Sequence, residues 1–478
     1  MESDGEKSLD QRRNNLILLN VCLGQFIVGL DQRSLLVALP TLARYFQTDL
    51  TTVQWVLLIY DLTLIGLVIT AGRLGDMFGR RRFYAGGFLL FVVSAALCGT
   101  AQSAGQIILF RGIQAIGGSM ISANGRAIVS TAFPSGRRGR ALGFASMSFH
   151  VGFLTGPTLG GFLIDTIGWR WIFFINLPVG IWASWLAWRI IEESKEPVKQ
   201  TSIDFLGAVL LFSINAFFIY AMTQLPHVGW SHPSVIQPLA LAALAFVVFV
   251  RVELKSRTPI LSFSLFRNRL FTAAILSLFF ITSSQAAVSF LMPFYLQDIL
   301  RFSPTQMGWI IIANSVVIVM IAPIAGWLSD RLGSRLLCTA GATLIVIGQF
   351  FIATLALDSS VPRIIAPLLL TGLGWAIFNS PNQSAILGSV PKDKFGTASA
   401  MNTTMARSGA AMGVALSATL FTYALAAAGL PSSAIESPQS WGHAPEIFVG
   451  SFNHAVLVVN LITLLAIVFS AVRGTRQE

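Results

Sequence analysis

The chain has 478 residues, of which 54% are hydrophobic and only 11% charged, and its mean hydropathy is +0.71. Soluble domains carry roughly a quarter charged residues, so this chain lacks the polar coat of a cytosolic enzyme, a secreted domain or a disordered segment. The class that remains is an all-α polytopic membrane protein, since a bilayer-spanning helix needs about 20 apolar residues.

In chain order, the polar residues 1–15 carry acids and bases alike and lack the pattern of a cleavable signal peptide, so they read as a tail. Apolar runs follow near 16–40, 51–71, 83–102, 106–130, 140–164 and 170–190, giving a six-span bundle over 16–190. A polar stretch (Glu192, Glu193, Ser194, Lys195, Glu196, Pro197), runs near 204–224 and 234–253, and a basic stretch from Arg251 to Arg269 make a linker with two further spans over 191–269. Either of that middle pair could instead lie in the membrane interface. Runs near 270–294, 304–328, 335–356, 362–387, 396–428 and 452–472 form a second bundle over 270–472, and 473–478 is a tail. Fourteen spans are expected.

With the N-terminus in the cytoplasm, 24 Lys and Arg fall on that side and only Arg44, Arg170, Arg301 and Arg363 fall in the opposite loops. This asymmetry follows the positive-inside rule and places both termini in the cytoplasm. The net charge of +11 sits in short clusters between apolar runs, which fits membrane orientation and gives no reason to expect a nucleic-acid partner. Cys22, Cys98 and Cys338 all lie in apolar runs, with no metal-ligand spacing. The P-loop, H-E-x-x-H, G-x-S-x-G and CxxC patterns are missing, so neither ATP, a metal nor enzymatic chemistry is expected.

The pattern G-x-L-x-D-x-x-G occurs at Gly72–Gly79 and again at Gly326–Gly333, 254 positions later, with Arg81 and Arg335 at the same offset. Two similar six-span halves joined by a linker are the build of an alternating-access transporter.

The stretch from Gly72 to Arg82 resembles the signature loop of the major facilitator superfamily, although Met77 stands where Arg is common. The resemblance implies that Gly72 and Gly79 permit a tight turn, that Asp76 caps a neighbouring helix end, and that Arg80 and Arg81 lock a cytoplasmic gate. Asp330 is the counterpart of Asp76 in the second copy. Residues 111–118 are similar to the family's fourth-helix motif, with Ala115 in place of a usual Gly. That likeness implies a part in proton transfer for Arg111; the alternative is an interfacial anchor that snorkels. Gly152, Gly156, Pro157, Gly160 and Gly161 complete the pattern G-x-x-x-G-P-x-x-G-G, which the family associates with antiporters. Small residues let helices pack closely and Pro157 removes a backbone donor, so the segment reads as a hinge and seal, or as a plain packing kink. Leu30, Asp31, Ala38, Leu39 and Pro40, the stretch 169–178, and Arg407, Ser408 and Gly409 resemble the fourteen-span drug:proton antiporters of the EmrB/QacA type.

Charged side chains at bilayer depth are costly and face protein or water. Asp31, Arg33 and Asp61 lie in the first two spans, Arg126 in the fourth and Arg407 in the thirteenth. Asp31 matches the family acid. A carboxyl in a low-dielectric cavity can load and unload a proton between two access states, so Asp31 is the expected coupling group, with Asp61 and Arg111 as partners; the alternative is an Asp permanently neutralised by Arg. Asp31, Arg33, Asp61 and Arg126 are expected to form one buried network. Asn124 and Asn379 are expected to line the cavity, because polar groups avoid lipid. His150 reads as a packing residue or a group that titrates near neutral pH.

The expected function is proton-coupled export of small amphipathic compounds across a bacterial inner membrane, driven by the proton gradient with no cofactor. Alternatives are a dedicated exporter of one metabolite, siderophore or anionic or lipid-like compound, an uptake symporter, and a non-transporting sensor. Expected partners are the substrate, protons and membrane lipids, with a periplasmic adaptor protein if the cell is Gram-negative.

Overall fold

The computed structural model describes residues 2–133, 135–193, 205–255, 263–391, 395–429 and 444–473. Within them the chain is helical, with no strand, and fourteen helices have fifteen residues or more. They are α1 (Glu2–Phe46), α2 (Trp55–Phe78), α3 (Arg80–Thr100), α4 (Ala104–Ala132), α5 (Ser135–Thr166), α6 (Asn176–Ile190), α7 (Phe205–Val228), α8 (Pro233–Lys255), α9 (Arg269–Phe294), α10 (Pro304–Leu332), α11 (Ser334–Ile352), α12 (Val361–Gly388), α13 (Phe395–Ala427) and α14 (Pro445–Ala471). Local chemistry sets several starts. Ser303 and Gln306 close a capping box ahead of α10, with Pro304 at its first turn. Asn268 accepts from the amides of Leu270 and Phe271 to begin α9. Residues 194–197 of the expected linker lie outside the described residues.

Among the described residues, thirteen segments are long and apolar enough to cross a bilayer. The remaining long helix is α4, which has 29 residues but buries Arg111, Gln114, Ser119, Ser122 and Asn124. These buried polar residues face protein, which lowers the helix's mean hydropathy without shortening it. Both middle helices pass the same test. Gly66 of α2 seats α7, because a Cβ there would lie 3.2 Å from the Cβ of Phe212. Thr419 of α13 donates to the Met222 carbonyl of α7 at 2.7 Å. So α7 bridges elements from the two bundles, while α8 packs on α7 and exposes Leu241, Leu244 and Phe246.

The sequence repeat is a structural repeat. Gly79 (φ 106°) and Gly333 (φ 78°) turn the chain between consecutive helices at equivalent places in left-handed backbone that favours glycine. A Cβ on Gly117 would come within 2.7 Å of the Gly87 carbonyl oxygen, so α3 and α4 touch backbone to backbone. In the second half α11 and α12 do the same, with Gly341 2.6 Å from the Gly374 oxygen by the same measure. Close glycine contact is how membrane helices gain packing without a hydrophobic driving force between them.

Candidate functional site

A cavity of about 540 Å³ lies between the two bundles. The first half lines it with residues that include Gln32, Arg33, Tyr60, Asp61, Arg111, His150 and Phe153, and the second with Gln285, Asn314, Asn379, Gln383, Asn402 and Arg407. The first wall carries most of the charge, and the second sets five amide side chains and Arg407 among apolar and hydroxyl residues.

Asp31 of α1 sits behind the wall, 2% exposed. Arg111 Nη1 lies 2.5 Å from its Oδ2, Gln114 Nε2 donates to its Oδ1 at 3.0 Å, and Arg111 also donates to Gln114 Oε1 at 2.7 Å. The guanidinium lies 4.3 Å from the centre of the Tyr60 ring. Both carboxylate oxygens are thus satisfied, and the charge of each member is compensated inside the protein. Gln114 follows Arg111 by three positions on α4, the spacing that puts two side chains on one helix face; that spacing is the signal by which the sequence marks it as a third member.

Asp61 lines the cavity directly, and its partner is Arg407 of α13, 2.7 Å away. This pair joins the two halves across the cavity. Arg33 makes a different contact: its guanidinium carbon lies 3.9 Å over the centre of the Phe153 ring of α5, a cation–π arrangement. The helices that carry Arg33 and Phe153 interlock through the glycine-proline motif. A Cβ on Gly152 would meet the Phe26 carbonyl oxygen at 2.1 Å, and one on Gly156 would meet the Arg33 Cβ at 2.7 Å. Gly160 is seated on Ser34 in the same way.

The single network expected of Asp31, Arg33, Asp61 and Arg126 is therefore two separate ion pairs plus a stacked arginine. Helical phase explains the split: residues two apart differ by roughly 200° around the axis, so Asp31 turns to α4 and Arg33 to α5. Arg126 is exposed and Asn124 buried, and neither lines this cavity. Arg126 is fifteen residues beyond Arg111 on α4, about 22 Å along the axis, too far to join it. Asn124 instead donates to the Ala71 and Met120 carbonyls at 3.2 and 3.0 Å, and its side chain fills the space beside Gly75. Asn379 does line the cavity, and His150 lines it with Nδ1 2.8 Å from the Ser146 carbonyl oxygen.

At the end that holds the chain termini, the signature-loop residues pair within the first half. Arg80 Nε lies 2.6 Å from Asp76 Oδ1, and Arg81 Nε lies 3.4 Å from Glu193 at the end of α6. Glu193 also sits where a Cβ on Gly79 would fall. Gly72 faces the Ala123 Cβ of α4; the side chain of Asp330 lies outside the described residues.

At the opposite end the halves touch. Arg44 at the end of α1 pairs with Asp298 on a π-helical turn (Tyr295–Ile299) that follows α9, and it also donates to Gln297 Oε1 at 3.1 Å. Gln297 donates to the Val37 carbonyl at 2.8 Å. Asp165 accepts from the Thr305 amide at 2.8 Å. A Cβ on Gly161 would lie 2.2 Å from the Pro304 carbonyl oxygen, and one on Gly308 would lie 2.5 Å from the Pro157 oxygen. Nothing in the local sequence marks Arg44 and Asp298 as partners, because 254 residues separate them.

The profile of the Major Facilitator Superfamily matches residues 21–414. The chain belongs to the major facilitator superfamily. It is 32% identical over 413 residues to the riboflavin transporter RibZ of Clostridioides difficile, covering 86% of this chain and 89% of that one. It is 30% identical over 445 residues to the multidrug resistance protein Stp of Mycobacterium tuberculosis, with 92% and 82% covered. The tetracenomycin C resistance and export protein of Streptomyces glaucescens is 28% identical over 399 residues, with 84% and 74% covered. Among solved structures, a bacterial homologue of the human lysosomal transporter Spinster superposes with a TM-score of 0.72 at 16% identity, covering 96% of this chain and 97% of that one. That likeness concerns the fold, which is the major facilitator fold. A member of this superfamily is a multi-pass membrane transporter rather than an enzyme, and the cavity between its two halves is the candidate transport site.

Proposed function

We propose that the protein is a proton-coupled antiporter that exports small amphipathic compounds across a bacterial inner membrane by rocking its halves around the central cavity. The observation that carries this reading is the buried Asp31–Arg111–Gln114 cluster set directly behind the cavity wall. Relatives named for multidrug resistance and for tetracenomycin C export support the direction of transport. All fourteen long helices span in this reading, α4 included, and the charge asymmetry puts the termini in the cytoplasm. The described conformation is then sealed toward the outside by the Arg44–Asp298 and Gly161–Pro304 contacts.

In this cycle Asp31 takes a proton and its hold on Arg111 weakens. Arg111 lines the cavity, so the change reaches the substrate wall directly. The Asp61–Arg407 pair ties the halves together on the cavity wall and has to part when they rock. Gly152, Gly156, Pro157 and Gly160 form the axle of α1 against α5, and Gly161 forms the seal. Arg80 and Arg81 re-pair with the second half when the cytoplasmic side closes. A periplasmic adaptor protein would dock on the outer end.

The test is transport in proteoliposomes of the full chain. With an inward-directed proton gradient imposed across oriented vesicles, a flavin is expected to move outward while protons move inward. Movement of solute and protons in the same direction would establish symport, and binding without flux would establish a sensor.

A further inference from the structure

We propose that the cavity receives a substrate with an anionic group, and that Arg33 is the residue that selects it. This deepens the transport reading and rests on it. Three arginines line the cavity, Arg33, Arg111 and Arg407, against one carboxylate, Asp61. Asp31 behind the wall compensates Arg111, and Asp61 compensates Arg407. Arg33 is left over: among the described residues no carboxylate lies within 4.0 Å of its nitrogens and none accepts a hydrogen bond from it. Its guanidinium stacks on the Phe153 ring.

The position is built. Gly156 leaves no room for a Cβ beside Arg33, so the crossing of α1 and α5 fixes where the side chain emerges, and the ring of Phe153 supports one face of the guanidinium. The fork of five N–H donors remains for a ligand. A surplus guanidinium in a half-buried, low-dielectric site favours a carboxylate, sulfonate or phenolate and repels a cation. The facing wall contributes Asn314, Asn379, Gln383 and Asn402, which are uncharged and hydrogen-bond to carbonyl and hydroxyl groups. Phe153 and Tyr60 add aromatic surface. The chemistry that fits is an aromatic organic anion with polar substituents.

The test uses the full chain in phosphatidylcholine nanodiscs and two probes of one ring system: anionic fluorescein and a cationic rhodamine. Equilibrium binding by fluorescence polarisation needs neither a gradient nor a direction, so it can succeed where the antiport reading fails, and the reverse. Wild type is expected to bind fluorescein about tenfold more tightly than the rhodamine, Arg33→Gln to lose about tenfold for fluorescein while holding or improving the rhodamine, and Arg33→Lys to retain most of the preference. A wild-type preference for the rhodamine overturns the proposal, even if Arg33→Gln does not fold. So does unchanged fluorescein affinity in a folded Arg33→Gln. Competition by phosphatidylglycerol added to the discs would assign the site to a lipid headgroup and overturn it as a substrate site.

Discussion

Arg111→Ala is expected to abolish transport and to lower the thermal stability of the purified protein, with a cost of roughly 3–5 kcal/mol for the buried charge left without its partner. The reason is the enclosure of the pair: Asp31 and Arg111 have side chains only 2% and 1% exposed, so the carboxylate would keep its burial and lose its cation. Gln114 alone would remain as a donor to the carboxylate. The double variant Arg111→Ala with Asp31→Asn removes both charges, and its melting temperature is expected to return most of the way to wild type. Transport does not return with it, because the group that carries the proton is gone. A single variant as stable as wild type would show that the pair is not the internal ion pair described. Restored uphill transport in the double variant would show that the pair serves structure alone.

Gly161→Leu is expected to push the protein out of its sealed state. The new Cβ would lie 2.2 Å from the Pro304 carbonyl oxygen, closer than any real contact, and the obstacle is backbone that cannot rotate away. Overpacking of this kind costs about 1–3 kcal/mol, which applied to one of two access states shifts their ratio by roughly 5- to 150-fold. The readout is labelling of a cavity cysteine, Ser289→Cys, by a membrane-impermeant maleimide added from the outside. Ser289 lines the cavity, so wild type should label slowly and the Gly161→Leu variant many times faster. Gly105→Leu is the control, since its Cβ would meet nothing within 4 Å, and it should label like wild type. Equal rates for all three would remove Gly161 from the seal.

The fold was legible because a bilayer imposes one rule on every span. Among the described residues hydropathy marks thirteen segments, and the fourteenth long helix matches the apolar run read near 106–130, whose buried Arg111, Gln114 and Asn124 lower its mean hydropathy. The repeat was equally legible, since Gly79 and Gly333 need the same left-handed backbone. The site was legible in part. Asp31 and Arg111 stand out as charges inside apolar runs, and the likeness to the superfamily points to both. Their pairing with Gln114 follows from the three-residue spacing along α4. The partner of Asp61 is 346 residues away, on a helix whose rotation no local pattern reveals. The grouping of Asp31 with Arg33 failed for a reason the sequence contains: two positions on a helix face nearly opposite ways. Asn124 was misplaced because an amide in an apolar run can serve either a cavity or a helix joint, and only the packing against Gly75 decides between them.

Asp31 is the proposed carrier of the proton, and the decisive comparison is wild type against Asp31→Asn in the same proteoliposomes. Two fluxes are followed: exchange of labelled for unlabelled substrate with no gradient, and accumulation against a concentration difference under an imposed pH gradient. Asp31→Asn is expected to exchange substrate still, but to accumulate none and to move no protons. Undiminished uphill accumulation by the variant, with proton movement intact, would contradict that role for Asp31.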